Sequence, residues 1–410
     1  MNLIFLTMDQ IRDVNNRGIY TDLLRQFRNE GWNVYVVSPN ERRTGDSTKL
    51  EEKDGVHYLG VRTLNLTKSS IIEKGVGQVL MESQYKRAIK KKLDDVNFDL
   101  ILYSTPPITF SRVIKYLKEK NPYSVSYLLL KDIFPQNAVD IGMMSKTGLK
   151  GVLYRLFRNM EKKLYSISDY IGCMSPANVD YLLKHNPVIS KNRVEVAPNS
   201  IGLSNTGDIY LTDRKTVRIK YGLPTDKPIF IYGGNLGKPQ GIPFLIDCLA
   251  ANANREDCFF VVIGTGTELP KLKEWYSEKQ PKSVKVMNGL PKEDYDVLVR
   301  ACDVGLIFLD HRFTIPNYPS RLLSYLEYKM PVLCATDPNT DMGSIAEENG
   351  YGYWCESNSV EAFTNILNKM IKADRKAMGE KGYQYLKDNY LVENTYNAIM
   401  KHFKEHELKE

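Results

Sequence analysis

None of the six cysteines in this chain falls in a C-x-x-C pair, and its five histidines make no case for zinc. The cysteines (Cys173, Cys248, Cys258, Cys302, Cys334, Cys355) lie within apolar strand or helix patterns, which argues for core packing in a reducing compartment over disulfide, redox or zinc chemistry. Clusters of Asp and Glu are also lacking, so no metal or other cofactor is expected. No stretch approaches the ~18 to 20 unbroken apolar residues of a membrane-spanning helix. The opening MNLIFLTMDQ has no basic leader and reads as a buried strand rather than a signal peptide. A cytoplasmic protein is expected. The formal charge of +7 comes without an Arg-rich tail or an aromatic-interleaved basic run, which argues against nucleic acid as a partner. Low-complexity segments and short-period repeats are absent.

What is present is alternation. Strand-like apolar runs at Leu3 to Thr7, Val34 to Ser38, Leu100 to Ser104, Ser124 to Leu130, Tyr170 to Met174 and Arg193 to Ala197 are separated by helical patterns. After Pro198-Asn199 the rhythm lapses into the polar stretch SIGLSNTGDIYLTDRKT. It then resumes with strands at Ile229 to Gly233, Phe259 to Gly264, Val284 to Met287, Val304 to Leu309 and Val332 to Ala335. This βα alternation predicts an α/β protein of two Rossmann-like domains, each a mostly parallel sheet covered on both faces. The expected boundaries are 1–200, 201–390 and a C-terminal helix in 391–410 that crosses back to the first domain. The two domains are expected to face each other across a ligand-binding cleft.

Between Lys146 and Leu164, apolar residues recur at helical spacing (Leu149, Val152, Leu153, Leu156, Phe157, Met160, Leu164), with Lys146, Lys150, Arg155, Arg158, Lys162 and Lys163 among them. Two readings are open. The pattern fits a surface helix docked on a sheet, or a helix resting at the inner membrane face on anionic lipid or binding a lipid-diphosphate acceptor.

The segment DVGLIFLDHRFTIPNYPSRLLSYLEYKMPVL, 303–333, places a polar loop after a strand and starts a helix near Ser320. In α/β sheets that is where ligands bind, and free N–H groups at a helix start suit phosphate. Arg321 in the first turn adds a fixed cation. A second loop, Gly233-Gly234-Asn235-Leu236-Gly237 followed by Lys238-Pro239-Gln240-Gly241, joins a strand to a helix with glycines that let backbone approach a phosphate.

Taken in order, LLRQFRNEGWNVYVVSP, DIFPQNAVDIG, LYSISDYIGCMSPANVDYL, RVEVAPNSI, YGGNLGKPQG, VVIGTGTELPKL, VMNGLPKEDYDVLVRACDVGLI and YPSRLLSYLEYKMPVL resemble retaining glycosyltransferases of the GT-B fold. Within these, the resemblance is to family 4 (GT4) and its bacterial surface-polysaccharide branch. It implies transfer of a hexosyl or N-acetylhexosaminyl group from a nucleotide sugar, expected to be UDP-linked, to a lipid-linked or growing polysaccharide of a capsule or O-antigen.

The resemblance also implies roles. Arg321 and Lys238, with backbone of the Gly234-Asn235 and Gly237 loop, stabilise the leaving diphosphate; the nucleobase lies against Asn288, Gly289 and Leu290, with Gly264 and Gly266 nearby. Gly18, with Arg17 beside it, stands where the family has a phosphate-facing loop. Asp132 stands in a region where relatives carry a histidine near the donor sugar, and reads either as a proton acceptor or sugar-orienting group, or as a helix-capping aspartate. The chain departs from the family where an arginine and a lysine are common, at Asn235 and Gln240. It departs again where two glutamates are usual, at Pro316 and Ser324. Glu327 then binds ribose hydroxyls or is merely solvated, and sugar recognition falls to backbone near Asn317 and Tyr318. Two alternatives remain: a nucleotide-sugar 2-epimerase on the same fold, and an inactive transferase-like scaffold subunit.

Overall fold

The computed structural model describes residues 1–66, 71–203 and 213–407, without the side chains of 71–76 and 404–407. The chain divides into two units, Met1–Gly202 with the segment from Val392 on, and Leu203–Leu391.

The first unit is built on strands β1 (Asn2–Leu6), β2 (Asn33–Glu41), β3 (Lys49–Lys53), β4 (Val56–Thr63), β5 (Leu100–Ser104), β6 (Val125–Leu130), β7 (Tyr170–Cys173) and β8 (Val194–Val196). They form one sheet in the order β3-β4-β2-β1-β5-β6-β7-β8, parallel except for the β3–β4 pair. The continuous apolar runs of β5 and β6 are buried along their whole length, as strands covered on both faces must be. The hairpin β3–β4 is an addition to the expected pattern. Every residue of β3, KLEEK, is exposed, so it carries no apolar alternation to detect, and its charges protect a free sheet edge. The C-terminal helix Val392–Glu407 closes this unit. Ile399 enters its core, Tyr396 meets Phe27 at 4.8 Å and Phe403 meets Trp32 at 5.4 Å.

The second unit holds β9 (Ile229–Asn235), β10 (Phe259–Thr265), β11 (Val284–Asn288), β12 (Val304–Phe308), β13 (Val332–Thr336) and β14 (Gly352–Glu356), all parallel, in the order β11-β10-β9-β12-β13-β14. Its core runs from Phe230, Phe260 and Phe308 to Phe363 and Leu367. The polar stretch expected to be irregular ends in a helix, Arg214–Lys220, capped by the Asp213 carboxylate on the N–H groups of Lys215 and Thr216. Residues 204–212 of that stretch lie outside the described residues. Arg218 fixes this helix to the sheet. Its guanidinium donates to Asp303 at 2.6 Å and to the Ala301 carbonyl at 2.8 Å. All six cysteines are buried and unpaired.

Candidate functional site

In the second sheet the strand order reverses at β9, which has β10 on one side and β12 on the other. A crevice at the carboxyl ends of such neighbours is the usual ligand site of an open α/β sheet. Here the loops after β9 and β12 carry most of the residues expected to bind the donor.

The strand register aligns three of them. Asn288 pairs with Gly264, and Gly264 with Gly234, so the ends of β11, β10 and β9 present one row across the sheet. Gly264 is glycine for packing reasons. A Cβ there would lie 1.8 Å from the Gly234 carbonyl oxygen. Gly234 itself has φ 112°, a conformation that favours glycine, and its backbone is exposed. Asn235 and Lys238 are exposed, Gly237 is buried, and Leu290 is half-buried beside the exposed Asn288. Gly266 follows β10 in the turn toward the helix Leu269–Lys279. Leu236 donates its N–H to the Thr265 carbonyl at 2.8 Å, so that N–H of the loop is committed within the protein.

Arg321 joins the two loops. Its Nη2 donates to Gln240 Oε1 at 2.8 Å, and its guanidinium stacks 4.2 Å from the centre of the Tyr232 ring. The Tyr232 hydroxyl lies 2.8 Å from the Asn235 carbonyl and 3.3 Å from Gln240 Oε1. Gln240, at a position where the resembled family commonly has lysine, is therefore a buried acceptor that orients the arginine. The other terminal nitrogen, Nη1, is buried and has no hydrogen-bond partner. A buried guanidinium N–H left unmade costs about 1–3 kcal/mol, more for a charged group, unless something arrives to accept it.

Sequence reasoning does not find the tyrosines of this site. Tyr295 fills the space that Gly233 leaves bare, its hydroxyl 1.9 Å from where a Cβ would stand. Tyr325, one helical turn after Arg321, donates to the Ile231 carbonyl at 3.1 Å beneath the loop. The spacing of Arg321 and Tyr325 at i, i+4 is the one available signal.

Several expectations need correction. The helix Arg321–Glu327 has only 7 residues, and the N–H groups of Leu322 and Leu323 already donate to Pro319 and Ser320 carbonyls, so its start is not a set of free donors. Exposed Ser320 makes no side-chain cap. Asn317 gives its N–H to Thr340 Oγ1 at 3.0 Å and its amide to the Ile315 carbonyl at 3.2 Å. Tyr318 hydrogen-bonds to Tyr390. Glu327 is 2% exposed, which removes the solvated alternative.

In the first unit Gly18 caps the helix Ile19–Asn29 in an extended conformation, and its N–H donates to Asp22 Oδ1 at 3.2 Å. Arg17 precedes it, half-buried. Asp132 follows β6 and is held through both oxygens by the Asn137 amide at 2.7 and 2.9 Å. It does not cap the next helix, whose N-cap position is Pro135. Burial pushes the Asp132 carboxyl up to about 6, against the opposing Asn137 bond. Its neighbour Lys131, which no sequence motif marks, donates to the Ala197 carbonyl at 3.1 Å, and burial lowers its amine to about 7. Burial raises the Tyr20 hydroxyl on the helix after Gly18, against a hydrogen bond with Ser104 that lowers it. Among the described residues no group of three His, Cys, Asp or Glu is placed to hold a metal ion. No helix among them is long and apolar enough to cross a membrane.

The architecture, two Rossmann-like units with parallel sheets, is that of GT-B glycosyltransferases. Residues 213–385, most of the second unit, match the family model for glycosyl transferases group 1. Over 400 residues the chain is 22% identical to the probable glycosyltransferase WbjE of Pseudomonas aeruginosa, covering 95% of this chain and 94% of that protein. It is 24% identical over 248 residues to the putative colanic acid biosynthesis glycosyl transferase WcaI of Escherichia coli K12, covering 60% of this chain and 59% of that one. Among solved structures, HepE of Anabaena in complex with UDP superposes with a TM-score of 0.67 at 12% identity, over 99% of this chain and all of that one.

Proposed function

We propose that this chain is a family 4 (GT4) retaining glycosyltransferase that moves a hexosyl or N-acetylhexosaminyl group from a UDP-linked donor to a lipid-linked or growing surface polysaccharide. The observation that carries the reading is Arg321: a cation oriented by Gln240 and Tyr232, with one buried nitrogen lacking an acceptor, beside the exposed backbone of Gly234. A diphosphate oxygen is the acceptor that such a group suits. HepE, of like fold, was solved with UDP, and WcaI is named for colanic acid biosynthesis; both support the choice of donor and acceptor.

In the reaction, the bond from the anomeric carbon to the β-phosphate oxygen breaks, and negative charge builds on that oxygen. Arg321 and the exposed Lys238 stabilise the charge, and electrostatic stabilisation of this kind usually contributes most to such catalysis. The acceptor hydroxyl oxygen bonds to the anomeric carbon from the face that UDP leaves, and its proton passes to the departing phosphate. The row Asn288, Gly264 and Gly234 supports uridine, the first unit binds the acceptor, and Asp132 keeps the sugar-orienting role that the family resemblance implies. Retention and the sugar's identity rest on the family resemblance.

The test is a thermal-shift screen against UDP, GDP, ADP, CMP and dTDP, followed by UDP-sugar turnover and the anomeric configuration of the product. A selective UDP shift and a retained configuration are expected. A shift with GDP alone, inversion, or conversion of UDP-N-acetylglucosamine to an epimer without acceptor would overturn it. No shift with any nucleotide would favour a scaffold subunit.

A further inference from the structure

The helix Gly148–Ile167 carries apolar residues on two faces, one docked and one exposed. It docks through Gly151, Leu164 and Tyr165, with Glu161 buried among them, accepting from Arg158 Nη1 at 2.6 Å and from the Tyr165 hydroxyl at 2.6 Å, while Arg158 Nη2 reaches Asn186 Oδ1 at 2.6 Å. Its other apolar stripe faces outward. Leu149, Val152, Leu153 and Leu156, at i, i+3, i+4 and i+7, are 93%, 58%, 44% and 50% exposed, and Met143 just before the helix is 59% exposed. Of the apolar residues read from the sequence, Leu164 is buried and Phe157 and Met160 are half-buried, so the helix is docked through its C-terminal half while Leu149, Val152, Leu153 and Leu156 stay outside. Isolated exposed leucines need no explanation, but a contiguous stripe opposite a buried ion pair does.

Charge identifies what covers it. Lys146, Lys150, Arg155, Lys162 and Lys163 are all exposed, and no acidic residue occurs between Asp140 and Glu161. An apolar stripe rimmed by cations of one sign is complementary to a bilayer with anionic headgroups, where leucines enter the acyl boundary and the basic side chains stay at phosphate level. The base of the helix is tied to the loop that carries Asp132. Phe157 packs on Phe134 at 5.2 Å, and the Tyr154 hydroxyl lies 3.4 Å from Gln136 Oε1.

We infer that this helix is a monotopic membrane anchor, lying in the surface of an anionic bilayer through Leu149, Val152, Leu153 and Leu156. The inference goes beyond the donor reading and stands without it. The anchor places the bilayer surface next to the Asp132 loop, which suits an acceptor whose lipid end stays in the membrane.

The experiment sediments the full chain with vesicles of phosphatidylcholine alone or mixed with phosphatidylglycerol. Binding is expected to the anionic vesicles, weakened by salt. Replacing Lys150, Arg155 and Lys162 together by glutamine should lower the partition by roughly a hundredfold, from the contribution of each cation near the surface. The variant Leu149→Ser, Leu153→Ser, Leu156→Ser should lose sedimentation while its UDP thermal shift stays that of the wild type, which separates anchor from donor site. Equal binding to neutral vesicles, or undiminished binding by both variants, would overturn the inference. So would a lipid-free dimer that the serine variant abolishes, since the stripe would then belong to a second copy. If the serine variant fails to fold, the glutamine variant and the lipid and salt dependence still decide.

Discussion

Gln240→Glu isolates the charge of Arg321 from its packing. The substitution keeps the shape of the side chain and its acceptor oxygen 2.8 Å from Arg321 Nη2, but turns a neutral amide into a carboxylate. At a charge separation of about 4 Å and an effective dielectric of about 20, the new pair attracts by roughly 4 kcal/mol, of which desolvation cancels a part. What remains is about 1.4 to 2.8 kcal/mol that a diphosphate no longer gains, a factor of about 10 to 100 in Kd. At a UDP concentration of about 100 times the wild-type Kd, ligand stabilisation falls from about 2.7 kcal/mol to between about 1.4 and 0.4. At about 3 °C per kcal/mol for a unit of this size, the thermal shift drops from about 8 °C to between about 4 and 1 °C. The unliganded variant should melt no lower than the wild type, because the Arg321 hydrogen bond is strengthened. Gln240→Leu is the control: it loses the orienting bond, keeps the cation free and should bind UDP within a few-fold of wild type. Full UDP affinity in Gln240→Glu, or an equal loss in Gln240→Leu, would refute the assignment of Arg321 to the diphosphate.

Asp132→Asn should remove a rate limb near pH 6. Because burial raises the wild-type carboxyl from 3.8 to about 6, the folded state holds its proton more tightly than the unfolded state, so wild-type stability falls relative to the variant as pH rises from about 4 to 6. Melting curves from pH 4 to 8 check this; a gap that stays constant with pH would show that Asp132 does not titrate there. Gly264→Ala should cost about 2 to 3 kcal/mol by overpacking, since the new methyl would meet the Gly234 carbonyl at 1.8 Å. A melting point within a degree of wild type would mean that β9 and β10 separate more easily than their register implies.

The parallel sheets are legible in the sequence because their strands are apolar along their whole length and each is followed by a helical period. β5, LILYS, and β12, VGLIF, are fully buried and could hardly be read otherwise. The charged edge strand β3 is not legible, because its signal is pairing with β4 rather than burial. Helix Gly148–Ile167 shows the opposite failure. Its period is plainly helical, but periodicity reports only that apolar residues share a face, not which way that face points. The fold turns Leu164 and Tyr165 inward beside the Arg158–Glu161 ion pair and leaves Leu149, Val152, Leu153 and Leu156 outside, two faces that one helical period does not separate.

The same distinction governs the donor site. Sequence spacing marks Arg321 and the Gly233–Gly237 loop as candidates to face phosphate, but makes the glutamine at 240 look like the loss of a charge. In the fold that glutamine holds a cation arriving from another loop, and two aromatic rings take up room left by glycines: Tyr295 at Gly233 and Tyr325 at Gly305. Under the proposed function, the charge that the resembled family supplies from the β9 loop comes here from the helix after β12, oriented by Gln240. A lysine there would stand within hydrogen-bond distance of Arg321 Nη2 and repel it. On this reasoning, the departure at Gln240 and the presence of Arg321 are one adaptation rather than a deficit and an unrelated feature.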